Sequence, residues 1–355
     1  MLLGPNMTKL FGELALALTA VLAAASADHT AVSADHTADS AGQTFDVVGW
    51  YVGDNFTDWP IESLRWDVYS TIRFGSVRVA DDGTASSPDA SDASFARMLA
   101  MARAHNRTLT LAPGIDAYGC VANATRAAAC QRYLDTVGDA VRSVGPGIAG
   151  IEFDYECPPT AAGRAGIVSK AEARAFTALL DGVQRALGAG YTASADVGVW
   201  GVSQGSYPLG LTPWVDAGLM QANPNLFVNT MSYHAPKSCS VAAWKKDALQ
   251  MTAQWGLRKE QVNLGIGYFS FNVSGLKTTG EPTWHSLSER CPNVDEKQCA
   301  CDKIGFASKS MNFEIAAFVR EHGYRGLFPW AANYDSFRHN NSLIAYVGRG
   351  LGIAE

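Results

Sequence analysis

The chain has 355 residues, and its 28 Lys and Arg against 34 Asp and Glu give a formal net charge of -6. This balance argues against nucleic acids and anionic membranes as partners, because both demand concentrated positive charge. Only 17% of the residues are charged whereas 47% are hydrophobic. A chain of this length and composition can bury a large core, which excludes a mostly disordered protein.

The N-terminal residues 1–27 are typical of a secretory signal peptide. An apolar stretch over residues 10–25 is followed by small residues that suit cleavage near Ala27. Its uninterrupted part is shorter than the ~20 residues that a membrane span needs. Residues 28–43 contain a short direct repeat and predict a flexible linker, which leaves residues 44–355 for the folded domain. We therefore expect a secreted or lysosomal protein without membrane contact after cleavage.

Acceptor sites and cysteines agree with this secretory route. The Asn-x-Ser/Thr acceptors for N-glycosylation are Asn55, Asn106, Asn123, Asn272 and Asn340. The seven cysteines would lie in an oxidising compartment and form up to three disulfides. Cys120 and Cys130 flank a short loop and could close it, whereas the sequence leaves the other pairings open.

Short apolar and β-branched runs predict strands that alternate with helices. Most of the runs are hydrophobic throughout, as expected for parallel strands that are buried on both faces. The predicted strands are residues 45–52, 69–79, 108–112, 147–155, 191–199, 226–233, 262–268 and 326–330. Amphipathic patterns predict helices over residues 95–105, 127–144, 170–187, 242–255 and 311–321.

Eight strands and intervening helices predict an α/β fold, a single-domain (β/α)8 TIM barrel. The competing architecture is an open doubly wound sheet, but residues 53–56 lack the glycine-rich turn of its phosphate-binding forms. Ser169 and Glu172 predict a capping box before the helix that follows the fourth strand. Residues 270–307 are predicted to be a long irregular stretch, which its three cysteines could staple.

Three acidic residues alternate along the fourth predicted strand. Because strand side chains alternate between faces, Glu152, Asp154 and Glu156 point one way and the apolar residues between them point the other. On an antiparallel sheet this pattern would indicate a solvated acidic face. In a barrel the apolar face must pack on the helices, so the acids face the interior at the strand end where barrels keep active sites.

Closely spaced carboxyl groups favour acid–base chemistry, because each shifts the pKa of the other and one can stay protonated beside an ionised partner. Glu156, nearest the mouth, is the best candidate for the acid, with Asp154 and Glu152 holding negative charge. Proton delivery to a leaving oxygen is the central need of glycoside cleavage. Nine Trp and 12 Tyr would supply stacking surfaces for sugar rings, although most aromatic residues pack in cores.

These residues resemble a known family. Residues 150–156, GIEFDYE, look like the DGxDxDxE signature on the fourth strand of glycoside hydrolase family 18, the chitinase-like barrels. Met231-Ser232-Tyr233 resembles its sixth-strand Met-x-Tyr element, and residues 326–330 resemble the eighth-strand segment that ends in the substrate-floor tryptophan. Residues 72–75 and 330–335 look closest to the di-N-acetylchitobiase branch.

The resemblance implies substrate-assisted, retaining hydrolysis of β-1,4-linked N-acetylglucosamine in chitin, chitooligosaccharides or chitobiose cores. Glu156 would protonate the leaving oxygen and later activate water, Asp154 would orient the acetamido N–H, and Tyr233 would donate its hydroxyl to the acetamido oxygen. The expected substrate contacts are Glu152, Trp330, Met231, Tyr268 and Phe74. No metal or organic cofactor is implied, and we expect a monomer.

Several departures and two alternatives accompany this interpretation. Ala149 and Glu152 replace the first two aspartates of the signature, and His234 follows Tyr233 where Asp or Asn is usual. A chitin-binding lectin on the same barrel is the non-catalytic alternative, although lectin relatives typically lose the acid. Ser203 lies in a GxSxG pattern typical of serine hydrolases, but prolines break the helix that must follow it.

Overall fold

The computed structural model describes residues 44–53, 60–89, 91–156, 168–198, 213–232, 240–270, 283–301 and 304–353. The predicted signal peptide lies outside these residues, as does the predicted linker. The described residues from Phe45 onward belong to one compact unit. Within them, every helix is too short or too polar to cross a membrane.

Eight parallel strands close into a barrel, which confirms the predicted TIM-barrel fold. Neighbouring strands follow chain order, and the first strand pairs with the last to complete the ring. The barrel strands are β1 Asp46–Trp50, β2 Thr71–Ser76, β3 Thr108–Ala112, β4 Ile148–Tyr155, β5 Thr192–Val197, β6 Leu226–Thr230, β7 Val262–Gly267 and β8 Gly326–Trp330. The second predicted run is wrong at its end, because Arg78–Val79 leaves the barrel and pairs with Ala85–Ser86 as a small hairpin.

Nine α-helices occur in the described residues. They are α1 Ala93–Ala104, α2 Ala117–Ala122, α3 Ala127–Arg142, α4 Lys170–Leu187, α5 Ala217–Ala222, α6 Ala242–Trp255, α7 Trp284–Arg290, α8 Lys309–His322 and α9 Leu343–Leu351. The amphipathic patterns predict five of them, α1, α3, α4, α6 and α8. The other four have only six to nine residues, too few turns for a helical period to stand out.

The capping box of α4 has the predicted geometry. Ser169 Oγ accepts a hydrogen bond from the Glu172 N–H at 3.1 Å, and Glu172 Oε2 accepts one from the Ser169 N–H at 2.8 Å. Gly188 follows the helix with a φ of 87°, which residues other than glycine rarely adopt. Both ends of the helix behind β4 are therefore fixed by local sequence.

The outward face of β4 packs on α4, as its alternating pattern predicts. Ile151, Phe153 and Tyr155 are buried in the core between strands and helices. The ring of Phe176 on α4 stacks on Tyr155 at 3.8 Å and meets Phe153 edge-on at 6.1 Å. With its apolar side chains pointing outward, β4 directs its carboxyl groups into the barrel.

The expectation of a long irregular stretch at residues 270–307 is wrong for the part that the structure describes. Thr283 caps α7, and Ala300–Cys301 pairs with Ile304–Gly305 as a hairpin. Trp284 is buried and donates its indole N–H to the Asn341 carbonyl at 2.7 Å. Trp284 anchors this segment together with the buried Phe306, whose ring centroid lies 4.7 Å away, and such isolated anchors leave no periodic signal in the sequence.

Two disulfides join described residues. Cys120 pairs with Cys130, as predicted, and Cys291 pairs with Cys301 across the segment that was expected to need a staple. Cys299 is also disulfide-bonded. Three predicted glycosylation acceptors, Asn106, Asn123 and Asn340, are exposed. Their glycosylation stays a prediction.

Polar contacts reinforce the closure between β1 and β8. Asp46 and Arg325, at the start of these strands, form an ion pair at 2.5 Å. Beyond the other end, Asn333 accepts a hydrogen bond from the Val52 N–H at 3.0 Å and donates one to the Val52 carbonyl at 2.9 Å. Both ends of the closing strand pair are therefore held by side chains as well as by the β-ladder.

Candidate active site

A cavity of about 210 Å³ lies at the carboxyl ends of the barrel strands. Its walls combine three carboxyl groups with apolar and aromatic side chains, contributed by or directly after β4, β5, β6, β7 and β8. The lining residues are Asp154, Glu156, Asp196, Met231, Phe269, Phe328 and Trp330. The structure therefore brings together four residues that the sequence singled out, Asp154, Glu156, Met231 and Trp330.

An apolar cluster inside the barrel forms one wall of this cavity. Trp50, Met231, Phe269 and Phe328 belong to it, and Trp330 packs against it. The ring centroids of Trp50 and Trp330 lie 4.7 Å apart at an angle of 47°. Trp330 is partly exposed and is thus available as an aromatic surface within the site.

Glu152 lies below the cavity and is fully buried. Its Oε1 accepts a hydrogen bond from the Trp50 indole N–H at 2.5 Å, and its Oε2 accepts one from the Thr110 hydroxyl at 3.1 Å. Burial raises the pKa of Glu152, while the charge of Arg73 and these hydrogen bonds oppose the rise. The extended Glu152 side chain thus connects β4 to β1 and β3. It lies at the floor of the site, and both of its carboxyl oxygens accept hydrogen bonds.

Asp154 and Glu156 form the upper part of the acidic row, and both are only partly buried. Burial raises the pKa of Asp154 to about 7, and the negative charge of Glu156 and a hydrogen bond to it act in the same direction. The charge of Arg73 opposes this rise. Asp154 can therefore take up or release a proton near neutral pH beside a second carboxyl group.

Asp196 is a fourth carboxyl residue of the site that the sequence analysis missed. It lies opposite Asp154 in the β4–β5 register and is 1% exposed. Asn229 donates to its Oδ1 at 2.7 Å, and Asn263 donates to Asn229 Oδ1 at 2.9 Å. A signal existed, because Ser194 and Asp196 alternate with apolar residues along β5 as the acids do along β4.

Arg73 on β2 supplies the positive charge that the acidic cluster faces. Its guanidinium carbon lies 3.7 Å from the centroid of the Trp50 ring, a cation–π arrangement. Its charge lowers the pKa values of Glu152, Asp154 and Asp196 relative to burial alone. No pattern in the sequence indicates this role, since one arginine on a predicted strand has no periodic partner.

Besides the fully buried Glu152, two further predicted substrate contacts do not line the cavity. Tyr268 and Phe74 are buried in the outer core between strands and helices and do not line the cavity. Tyr268 shares its face with Ile266, and Phe74 shares its face with Ile72, so strand alternation accounts for both positions. We leave them out of the proposed site.

Other predicted residues lie outside the described part of the chain. They are Tyr233, His234 and Ser203, together with Cys157 directly after Glu156. The roles predicted for Tyr233 and Ser203 stay predictions. In the described part of the chain, no group of three or more His, Cys, Asp or Glu side chains could hold a metal ion.

A third buried acid, Asp335, lies in the segment that follows β8. It accepts hydrogen bonds from the Leu343 N–H at 2.7 Å, the Ile344 N–H at 3.1 Å and the Ser342 hydroxyl at 2.7 Å, and so holds the start of α9. Burial raises its pKa to about 6 despite these hydrogen bonds. Asp335 and Asp154 therefore bind protons more tightly in the folded protein than in the unfolded chain.

This difference predicts that the fold is more stable in mild acid. A carboxyl group whose pKa is raised on folding stabilises the protein fully below its unfolded pKa of about 4 and loses that contribution as pH rises through the folded value. Urea-unfolding free energy should therefore increase from pH 7 to pH 5, with Asp335 alone contributing on the order of 1 kcal/mol. A decrease over that interval would contradict the assignment of these raised pKa values.

Comparison with known proteins identifies the fold class. No known family profile matches the chain, and no curated protein sequence matches it. Solved structures do: a chitinase from Bacteroides thetaiotaomicron aligns with a TM-score of 0.65 and 14% identity over 86% of this chain and 96% of its own. The family 18 chitinase of Cycas revoluta in complex with (GlcNAc)3 aligns with a TM-score of 0.65 and 15% identity over 86% of this chain and 99% of its own.

A third structure, catalytic domain 2 of the Ostrinia furnacalis Group II chitinase, aligns with a TM-score of 0.64 and 16% identity over 88% of this chain and 97% of its own. The structural neighbours of this chain are thus family 18 chitinases, the family that its motifs resemble. At such low identity the similarity establishes a shared barrel fold, and it covers nearly the whole length of each chitinase domain.

Proposed function

We propose that this protein is a family 18 glycoside hydrolase that cleaves β-1,4-linked N-acetylglucosamine. One observation carries the proposal: Asp154 and Glu156 share a cavity with Trp330 at the carboxyl ends of the barrel strands. An acidic pair beside an aromatic surface is what cleavage of a sugar bond needs, because one group supplies a proton and the other balances developing positive charge.

Glu156 would act as the general acid and base. It is the acid nearest the strand end and is partly exposed, so a leaving oxygen at the cavity mouth can reach it. It would protonate that oxygen as the glycosidic bond breaks, and would then accept a proton from the water that completes hydrolysis. The proton returns to Glu156 in the second step, so the group is restored after each turnover.

Asp154 would assist the attack of the substrate's own acetamido oxygen on the anomeric carbon. In this scheme the bond from the anomeric carbon to the leaving oxygen breaks as the bond to the acetamido oxygen forms, and an oxazolinium-type intermediate results. Asp154 would accept a hydrogen bond from the acetamido N–H and place negative charge beside the intermediate. Its pKa of about 7 and its contact with Glu156 support a group whose protonation changes during the cycle.

Trp330 and its neighbours would bind the sugar at the cleavage point. The ring centroid of Trp330 lies 4.7 Å from that of Trp50, which packs behind it. The enclosed volume of about 210 Å³ is below the ~300–1,000 Å³ of pockets for drug-sized ligands. It suits one sugar unit, with the remainder of an oligosaccharide outside. Tyr233 would contact the acetamido oxygen.

The proposed substrate class agrees with the ligands of the neighbours, since the Cycas revoluta chitinase was solved with (GlcNAc)3 and, as a mutant, with (GlcNAc)4. We further propose a secreted or lysosomal location on the basis of the N-terminal sequence. The di-N-acetylchitobiase branch is proposed from residues 72–75 and 330–335.

Incubation with a defined hexamer of N-acetylglucosamine, followed by mass analysis of the products, tests the function. A ladder rich in dimers indicates a chitinase, and release of terminal monomers indicates a chitobiase-like enzyme. Binding of the hexamer without cleavage would overturn the hydrolase assignment in favour of a lectin. Neither binding nor cleavage would overturn the proposed substrate class altogether.

A further inference from the structure

The floor of the cavity contains a pair of buried carboxyl groups that the proposed mechanism does not use. Asp196 lies within hydrogen-bonding reach of Glu152, and the two are 1% and 0% exposed. They come from the neighbouring strands β5 and β4, and both side chains point into the barrel. Two carboxylates in contact and out of water cannot both be ionised at modest cost, so such a pair keeps a proton.

The surrounding donors show which carboxyl group carries that proton. Both oxygens of Glu152 accept hydrogen bonds, from the Trp50 indole N–H and the Thr110 hydroxyl. Asp196 Oδ1 accepts from Asn229, whereas Asp196 Oδ2 is buried and receives no N–H or O–H donor from the described residues. An ionised oxygen without a donor is costly, but a protonated Oδ2 can donate to Glu152.

The charges around Asp196 agree with this assignment. Among the described residues, the titratable groups that face it are Glu152 and Asp154 on β4 and Arg73 on β2, and its neighbour on β6 is the neutral amide of Asn229. Burial, followed by the charges of Glu152 and Asp154, raises the pKa of Asp196 well above its ordinary value. One negative charge then remains on the pair, and Arg73 offsets it.

We propose that Asp196 is a positioning residue that shares one proton with Glu152 and thereby holds Glu152 in place beneath Asp154. The orientation of Asp196 is itself fixed by the amides of Asn229 and Asn263. Its role in catalysis rests on the hydrolase function proposed above, whereas the shared proton does not. Glu152, which is longer by one methylene than the aspartate of the family signature, and Asp196 therefore act together as one hydrogen-bonded pair.

Replacing Asp196 tests the positioning role. Asp196→Ala removes the donor to Glu152 and leaves the Asn229 amide unpaired, so kcat on the hexamer should fall about tenfold or more. Asp196→Asn keeps a donor of the same shape without an ionisable proton and should restore kcat to within about threefold of wild type. Ser194→Ala is the matched control and should keep the wild-type kcat, because Ser194 Oγ is buried on the same strand and has no hydrogen-bond partner among the described residues.

If the kcat of Asp196→Asn is as low as that of Asp196→Ala, the proposal is overturned, because an ionised carboxylate at position 196 would then be required. Wild-type kcat in Asp196→Ala would overturn the positioning role. Near-UV circular dichroism would establish that each variant is folded. If Asp196→Ala does not fold, the comparison of Asp196→Asn with wild type and the spectroscopic measurement below decide the matter.

Infrared spectroscopy tests the shared proton without relying on activity. The spectra are recorded at a pH above the pKa of Asp154, about 7, and that of Asp335, about 6, so that both groups are ionised. Wild type should then retain the C=O band of a protonated carboxyl group, and Asp196→Asn should lack it. Identical spectra for the two proteins would overturn the shared proton. If wild type cleaves no oligosaccharide but shows this band, the proposed function fails while the carboxyl pair stands.

Discussion

Glu156→Gln should reduce hydrolysis of N-acetylglucosamine oligomers to a trace while leaving their binding intact. Glutamine has nearly the same shape as glutamate but cannot deliver a proton to the leaving oxygen, and general acid–base catalysis contributes typically 10²–10⁴-fold. Binding should persist, because Trp330 and the other aromatic walls of the cavity are unchanged. Product release would be followed by mass analysis and binding by isothermal titration calorimetry.

The matched control is Glu314→Gln, which makes the same chemical change at an exposed position on α8. This variant should retain the wild-type rate. Turnover by Glu156→Gln equal to that of the control would refute the assignment of Glu156 as the acid. Loss of binding together with turnover would instead indicate that the substitution disturbs the site as a whole.

Phe176→Ala should cause a large loss of stability. Phe176 is fully buried on α4, where its ring contacts both Phe153 and Tyr155 on the outward face of β4. Truncation of a buried phenylalanine to alanine costs about 3–5 kcal/mol, because apolar contacts are lost and a cavity remains. The free energy of unfolding in urea would measure the effect.

Phe313→Ala provides the comparison, since Phe313 is 42% exposed on α8. Exposed side chains make few contacts, so this substitution should change the unfolding free energy by about 0.5 kcal/mol or less. Equal effects of the two substitutions would mean that the contact between β4 and α4 is not an important part of the core.

Much of the barrel could be predicted from local sequence. Strands β3 and β8 have the predicted bounds because both are short apolar runs between clear breaks. The direction of the acids on β4 followed from alternation together with the predicted barrel, because the apolar face of this strand must pack on the helices. Helix α4 was predicted to the residue because its cap and its terminating glycine are both encoded locally.

The lower part of the site could not be predicted in this way. Glu152 forms hydrogen bonds with Trp50, Thr110 and Asp196 on three other strands. These contacts depend on the relative register of the strands around the barrel. Register between parallel strands is set by helix packing and long-range closure, which no short motif encodes. Tyr268 and Phe74, predicted as substrate contacts, are buried in the outer core, a position that alternation along their strands accounts for.

The closure of β1 on β8 determines when the site can form. Trp50 comes from the first strand and Trp330 from the last, and they meet only when these strands pair. During synthesis β1 emerges early, but its barrel partner and the tryptophan beside it emerge almost 280 residues later, at Gly326–Trp330. A chain interrupted before that strand would have unpaired strand edges in the barrel and would lack Phe328 and Trp330 from the apolar wall of the cavity. Formation of the proposed sugar-binding surface is therefore among the last events in the folding of this domain.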